Sequence, residues 1–498
     1  VVTFDAQEED AMPRRRKGAG SRTLVALAAV IAMLVVMPAA AGAAPTVVAV
    51  SGTLVSPFAG CSADLVDLQR SLDVDYPNGE VEPYLAVNPT NPENLIAVWQ
   101  QDRWAGGASR GNVVGVSLDG GDTWQTVTTT GSSACTGGPF WVRATDPWVT
   151  FGPDGTAYMI DLALYSPLVS LPDTLSYDGV LVARSHDGGL HWEAPATLAA
   201  NDSPSLTNDK TTITADPNGG GFVYATWGEE VGPASGNDNP TAAAKTHAPR
   251  TDAMFARSTD GGATWQPPQR ILDPGEHNDA VGNQVVVRPQ DVGGQLVDVF
   301  DLSQGAANAH GQRGDNVAVA VSADHGQTWS EPTIAAAMHS RQTVDPDTGV
   351  EVRSGTELVD AAVDPTNGDI YAVWPDARFS GGAYDDVAIV VSTDDGRHWT
   401  RPVPVPRDIG ADVGPPARQA FTPQVHVSAD GRLAVSYYDF RNDNGSGPNE
   451  TDYFVAQCAH PGRVRTRPLR RRLGRDTGHK TVLRHWTGTS DRTGDLPG

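Results

Sequence analysis

The sequence predicts an all-β fold, a six-bladed β-propeller. Three observations carry that prediction: an octamer that recurs five times, intervals between copies long enough for four strands, and a two-strand pattern that recurs once more without the octamer. The copies begin at Ser117, Ser185, Ser258, Ser322 and Ser392 and end at Trp124, Trp192, Trp265, Trp329 and Trp399. Their shared pattern is Ser-x-Asp-x-Gly-x-(Thr/His)-Trp.

Each octamer reads as the turn of a hairpin. Apolar runs such as Val113-Val114-Gly115-Val116 and Val387-Ala388-Ile389-Val390-Val391 lead into it. The Asp accepts hydrogen bonds from turn N–H groups, and the Ser does so more weakly. The shared Gly admits a positive φ that other residues resist. The Trp opens the next strand and offers a large apolar surface for packing between units. Successive octamer Asp residues, from Asp119 to Asp394, lie 68, 73, 64 and 70 residues apart, room for four short strands and their loops.

A second signal precedes each octamer, a strand leading into a turn and a second strand out of it. Turns of this kind are Asn88-Pro89-Thr90-Asn91-Pro92, Gly152-Pro153-Asp154-Gly155 and Asp364-Pro365-Thr366-Asn367-Gly368. Strands that follow such turns include Leu95–Trp99 and Ile370–Trp374. The pattern recurs from Pro423 to Tyr438 around Ala429-Asp430-Gly431, which makes the sixth unit. The 53 Gly and 37 Pro suit many turns, and little of the chain has an amphipathic helical period. The propeller is expected over residues 81–458, after an irregular lead-in at 45–80 whose strand could close the ring.

The two ends differ from the middle. Met12-Pro13-Arg14-Arg15-Arg16-Lys17, the apolar run Leu24–Met37 and the small residues at 39–44 read as a secretory signal within 1–44. The run is short for a membrane span, so a secreted, extracellular product without a span is expected. Residues 459–498 carry ten Lys and Arg against three Asp and Glu, in a chain of net charge −24. This basic tail is expected to be disordered, or to derive from a shifted reading frame. The acidic propeller argues against a nucleic-acid partner and favours solubility. A monomer is expected. Of three cysteines, Cys61 and Cys135 could pair and Cys458 is left over. No zinc-ligand spacing is present, Asn442-Asp443-Asn444-Gly445 reads as a polar loop rather than a calcium site, and no metal or cofactor is implied.

The octamer is the Asp box, or BNR repeat, and the chain resembles the sialidase family of propellers over most of residues 80–458. In that family the boxes lie on the face opposite the active site, so loops after second strands and before first strands would face the site. Three second-strand exits share a theme: Asp102-Arg103, Asp376-Ala377-Arg378 and Asp439-Phe440-Arg441. One reading has each Arg pairing with an Asp and bracing neighbouring blades. The other has Arg103, Arg378 and Arg441 as a carboxylate-binding cluster, since a guanidinium matches a carboxylate bidentately and sialidases hold sialic acid with three arginines. Arg143 and Asp146, and Asp209-Lys210, would reach the same face.

The resemblance also implies a general acid, for which Asp376, Asp385 and Asp386 are candidates, and a Tyr nucleophile activated by a Glu. For that pair Tyr437 or Tyr438 and Glu229 or Glu230 are available. The family's Phe/Tyr-Arg-Ile-Pro motif is absent; Val81-Glu82-Pro83-Tyr84-Leu85 stands in its place. The expected function is a secreted sialidase-like glycan-active protein, a glycoside hydrolase for sialic acid or another acidic sugar. The alternative is a propeller that binds a glycan or a protein without catalysis.

Overall fold

The computed structural model describes residues 48, 50–51, 55–61, 73–138, 141–165, 177–201, 206–232, 250–305, 314–356, 358–407, 409, 413–445 and 451–458. The signal segment expected at 1–44 and the basic tail expected at 459–498 lie outside these residues.

The chain is all-β, and its described strands fall into antiparallel groups in chain order. The first group is β1 (Asp75–Val87), β2 (Leu95–Trp104), β3 (Ser109–Ser117) and β4 (Gln125–Thr128). The second is β5 (Arg143–Phe151), β6 (Ala157–Tyr165), β7 (Tyr177–Ser185) and β8 (Ala196–Asn201). β9 (Leu206–Ala215), β10 (Val223–Val231), β11 (Arg250–Ser258) and β12 (Gln269–Leu272) follow. Next come β13 (Asn278–Val287), β14 (Leu296–Gln304), β15 (Asn316–Ser322) and β16 (Thr333–Ala337). β17 (Asp360–Val363), β18 (Ile370–Asp376), β19 (Asp386–Ser392) and β20 (Val403–Pro404) form another group. The last is β21 (Ala420–Val427), β22 (Leu433–Asp439) and β23 (Asp452–Cys458), three strands among the described residues.

First strands pack against first strands of the next group, β1 on β5, β5 on β9, β9 on β13, β13 on β17 and β17 on β21. That is the radial stacking of a propeller. Second strands are covered on both sides. The seven residues Ile96–Asp102 of β2 are all buried, as are all of β18, so both strands carry near-continuous apolar runs rather than an alternation. The cores lie between groups. Ile96, Val98, Val114 and Val116 of the first group meet Val149, Phe151 and Met159 of the second, and Ile213 and Trp227 of the third pack with Ile160 and Val182 of the second.

The boxes hold one end of the molecule together. Ser117 Oγ donates to Asp119 Oδ1 (2.8 Å) and accepts from Gly121 N (2.9 Å). Asp119 accepts from Thr123 N (2.9 Å) and Thr123 Oγ1 (2.6 Å). In the second and fifth boxes a His ring nitrogen replaces the Thr hydroxyl, on Asp187 and Asp394. Each later box also reaches back to the preceding group. Asn94 Nδ2 donates to Gly188 O (3.0 Å), Tyr158 OH to Gly261 O (3.2 Å) and Arg257 Nη1 to His325 O (2.7 Å), and Arg288 pairs with Asp395. Gly326 shows why the box needs its glycine: φ is 80°, and a Cβ there would overlap the Phe255 ring of the neighbouring group. The box Trp residues pack across the same seams, Trp192 on the core around Ile96 and Trp329 edge-on to Phe255 at 5.3 Å.

At the other side of the first group a disulfide joins Cys61 to Cys135 (Cα–Cα 5.5 Å), tying the lead-in to the short 3-10 turn Ala134–Thr136. Phe58 lies buried beside Trp99 and Val113 next to it. Among the described residues no helix is long and apolar enough to cross a membrane.

Candidate functional site

The first strands share a defect. β1, β5, β9, β13 and β21 each show a register break, and at each break one residue has a positive φ: Glu82 (54°), Asp146 (46°), Lys210 (52°), Gly282 (69°) and Thr422 (48°). Left-handed backbone costs a non-glycine residue about 1–2 kcal/mol. Such strain collects where a side chain must be presented in a set direction. In β1 the break lies beside Gln100 of β2, near the strand end that leads away from the Asn88–Asn94 turn and the boxes.

Three of these bulges meet. Glu82 Oε2 accepts from Gln100 Nε2 (2.6 Å), and Glu82 Oε1 faces Lys210 Nζ (3.6 Å) and pairs with Arg353. Asp146 Oδ2 accepts from Lys210 N (3.0 Å) and lies 3.7 Å from Lys210 Nζ. Asp146 Oδ1 accepts from Thr145 Oγ1 (2.8 Å). Gln100 Nε2 lies between the two carboxyls, 2.6 Å from Glu82 Oε2 and 3.5 Å from Asp146 Oδ1. Arg103 Nη1 donates to Gln100 Oε1 (3.2 Å) and Ala108 O (3.0 Å), on the edge of the same cluster. Burial raises the Glu82 carboxyl above its usual range, and the Asp146 charge adds to this while Lys210 and Arg353 oppose it. Burial lowers the Arg103 guanidinium, and Arg353 nearby does so further. Two carboxyls and three cations therefore share one partly exposed place.

The other residues named from the sequence are placed as follows. Arg378 closes on its own Asp376, Nε to Oδ1 at 2.8 Å and Nη2 to Oδ2 at 2.7 Å. Asp376 is fully buried and also accepts from Trp374 Nε1 (2.7 Å) and His339 N (3.2 Å). Burial alone would raise Asp376, but the Arg378 hydrogen bonds hold it below its ordinary value. Arg441 likewise closes on Asp439 (Nε to Oδ2 2.8 Å), and Arg407 lies 3.4 Å from the same carboxylate. Asp386 pairs with Arg407, and Asp385 accepts the Arg341 N–H (3.0 Å). Burial pushes the Asp385 carboxyl up to about 7.

Asp102 does not pair with Arg103. It takes Ser56 Oγ (2.6 Å) and Asn78 N (2.8 Å) and faces Arg110 at 3.5 Å. Arg143 holds Asp73 (2.8 Å) and Gly107 O (2.6 Å) with its guanidinium over the Trp104 ring. Tyr438 lies among Phe421 (5.7 Å) and Tyr453 (4.7 Å). The neighbouring Tyr437 OH accepts from Arg441 Nη2 (3.1 Å). Glu229 and Glu230 lie on β10 of the third group and the two tyrosines on β22 of the last; Glu229 is near Asn201 and Asp252.

Sequence reasoning singled out Arg103, Asp146 and Lys210 and passed over Glu82, Gln100 and Arg353. A signal for Glu82 was present: Glu82-Pro83, Asp146-Pro147 and Thr422-Pro423 put a polar residue before Pro at matching places in three first strands. The residue before Pro is pushed out of the helical region, and a repeated polar-Pro step inside a strand marks a bulge. Arg353 had no such signal, since it comes from the long connection between β16 and β17.

A family model described as a BNR repeat-like domain matches residues 241–356. No curated protein matches the chain. Among solved structures, the chain is similar to a protein of unknown function from Dyadobacter fermentans, at 17% identity and TM-score 0.46 over 77% of this chain and 96% of that one. It is also similar to an alpha-L-arabinofuranosidase of Fusarium graminearum (14%, TM-score 0.45, 78% of this chain and 97% of that one). A third is a Trypanosoma rangeli sialidase (13%, TM-score 0.41, 73% of this chain and 53% of that one). The chain thus contains, at residues 241–356, a segment similar to a BNR repeat-like domain, with copies of the recurring box before, within and after it.

Proposed function

We propose that the chain is an exported glycoside hydrolase of sialidase-like type, and that its cluster of Arg103, Lys210, Arg353, Glu82 and Asp146 receives an acidic sugar. The observation that supports this reading best is the convergence of bulges from three successive first strands on one place with three cations. A guanidinium fork suits a sugar carboxylate, and a carboxyl raised by burial suits proton transfer to a leaving oxygen. The glycosidases among the similar structures fit the same class of chemistry. The apolar segment with its basic flank and the Cys61–Cys135 disulfide support an extracellular setting.

A second reading, glycan binding without catalysis, draws on one observation. Arg378 and Arg441 are engaged by their own aspartates, and Tyr438 packs among aromatic rings on β22 of the last group, with Glu229 on β10 of the third. The two readings separate in one experiment. Calorimetry with sialic acid, a uronic acid and a neutral hexose is expected to show binding of the acids alone, weakened at least tenfold in Arg353→Ala. Turnover of a fluorogenic sialoside or uronide by the wild type then marks the hydrolase. Binding without turnover marks the binding propeller, and equal affinity for neutral and acidic sugars overturns the acidic-sugar site.

A further inference from the structure

The first strand of the fifth group departs from the others. β17 is four residues long and pairs with β18 without a register break, so it presents no bulge. The connection before it supplies Arg353 instead. Residues 339–356 fold back on themselves: Val344 and Glu351 form an antiparallel bridge, Val352 N donates to Thr343 O (2.9 Å) and Asp345 N to Val350 O (2.8 Å). Asp345 Oδ1 accepts from Thr348 N and Thr348 Oγ1, both at 2.7 Å, which fixes the tip. This hairpin is fastened to the sixth group. The buried Gln419 amide holds Val344 twice, accepting from its N–H (2.9 Å) and donating to its carbonyl (2.8 Å). Thr422, the bulge residue of β21, donates its hydroxyl to Ser354 O (3.1 Å), directly beside Arg353. At the root, Asp385 accepts the Arg341 N–H (3.0 Å) and Arg341 Nη1 donates to Gly382 O (2.8 Å), both in the fifth group.

Arg353 thus reaches the cluster differently from Arg103 and Lys210. Those two belong to β2 and β9 and are held by their strands. Arg353 stands on the hairpin, its side chain exposed, and pairs through Nη2 with Glu82, 271 positions earlier in the chain. A guanidinium carries five donors in a planar fork, so this pairing uses only part of its capacity. We infer that residues 339–356 are a strap that sets the acid selectivity of the site by delivering Arg353 to it, and that Gln419 and Thr422 are the positioning residues that hold the strap. The inference rests on the acidic-sugar reading above. A docked strap loses little freedom when a ligand engages Arg353, whereas an undocked one must first be ordered, which lowers affinity. Gln419 bonds to Val344 and Pro416, and Thr422 to Ser354, so both act on the cluster through the strap.

Two measurements on the full chain test this. The first needs no ligand. Trypsin cuts after an arginine once the backbone around it opens, and beyond Arg353 the chain is held, with Ser354 buried and its carbonyl bonded to Thr422. Cleavage of the Arg353–Ser354 bond, followed by mass spectrometry, should be slow in the wild type. It should be at least about threefold faster in Gln419→Ala and in the isosteric Thr422→Val. The second is calorimetry with sialic acid and glucuronic acid. Gln419→Ala should weaken whichever acid the wild type binds by about threefold to tenfold. In an Arg353→Ala background it should weaken binding no further, because the two act as one unit. Thr422→Val repeats both readouts with the loss of a single hydroxyl. Unchanged cleavage in both variants overturns the strap. An equal loss of affinity with and without Arg353 overturns delivery through Arg353. If the wild type binds neither acid while cleavage responds as described, the acidic-sugar site fails, and the delivery role with it, but the strap and its anchors stand.

Discussion

Arg103 and the two arginines Arg378 and Arg441 stand at equivalent strand exits and meet different fates. In the fifth and sixth groups the motif is Asp-x-Arg. Asp376 and Asp439 each end their strand, and the chain turns directly after them, Asp376 capping the 3-10 turn Ala377–Ser380; each aspartate accepts the N–H of the arginine two residues on and takes its guanidinium. In the first group Asp102 and Arg103 are adjacent, and adjacent side chains point to opposite sides. Asp102, at φ 61°, turns outward to Ser56, Asn78 and Arg110, and Arg103 is left beside Gln100 and the Glu82 cluster. One residue of spacing separates an arginine that braces its own aspartate from one that joins the Glu82 cluster.

That contrast predicts a split between stability and binding. Arg378→Ala leaves the buried Asp376 carboxylate without its main partner, and Arg441→Ala does the same to Asp439. Breaking such a pair costs about 3 kcal/mol, visible as a lower urea midpoint with unchanged slope. Acidic-sugar affinity of the protein that remains folded should be unchanged. If Arg378→Ala instead keeps its midpoint and loses binding, the assignment of brace and ligand group is reversed.

Arg103→Ala should do the opposite. Its guanidinium donates two hydrogen bonds, to Gln100 Oε1 and to the Ala108 main-chain carbonyl. A stability change of about 1 kcal/mol or less is expected, together with a loss of acidic-sugar affinity of about tenfold, read by calorimetry. An equal loss for a neutral sugar would show that Arg103 shapes the site rather than reads charge.

Proton linkage distinguishes buried carboxyls that have partners from those that do not. Asp298 on β14 is buried, with no side-chain partner for its carboxyl oxygens among the described residues, and burial pushes it up to about 8 against the lowering effect of the Gln284 main-chain N–H. Its folded pKa is raised, so the folded state holds a proton that the unfolded chain releases above about 4. Stability therefore falls as pH rises from about 4 towards 8. Asp298→Asn should flatten that part of the stability–pH curve; a curve of unchanged slope removes Asp298 from the account.

The smallest effect belongs to the boxes. Asp260 is held at about 2 by the Thr264 hydroxyl and N–H, with Ser258 adding to them. Its folded pKa is depressed, so its contribution is present above the ordinary carboxylate value and is lost as pH falls towards 2. In Thr264→Val the Asp260 titration should move up towards the ordinary range by carboxyl NMR. A titration that stays at about 2 would assign the shift to the backbone turn alone.

The all-β class, the repeat and the hairpin role of each box were legible in the sequence because they depend on local chemistry. A Ser, an Asp and a Thr at fixed offsets satisfy one turn, and a Gly at positive φ closes it, wherever the turn is placed. The Asp-x-Arg braces are local for the same reason, although the sequence left bracing and a carboxylate-binding cluster both open. The site was only half legible. Arg103, Asp146 and Lys210 could be named as residues on the right loops and strands, but their meeting with Glu82 and Arg353 spans positions 82 to 353. It depends on three bulges whose register no single strand dictates. Sequence settles which turns and braces form, since their partners lie within a few residues. Only the tertiary structure decides which charges meet, because three separate first strands must stack at one register before Glu82, Asp146 and Lys210 come within reach of one another.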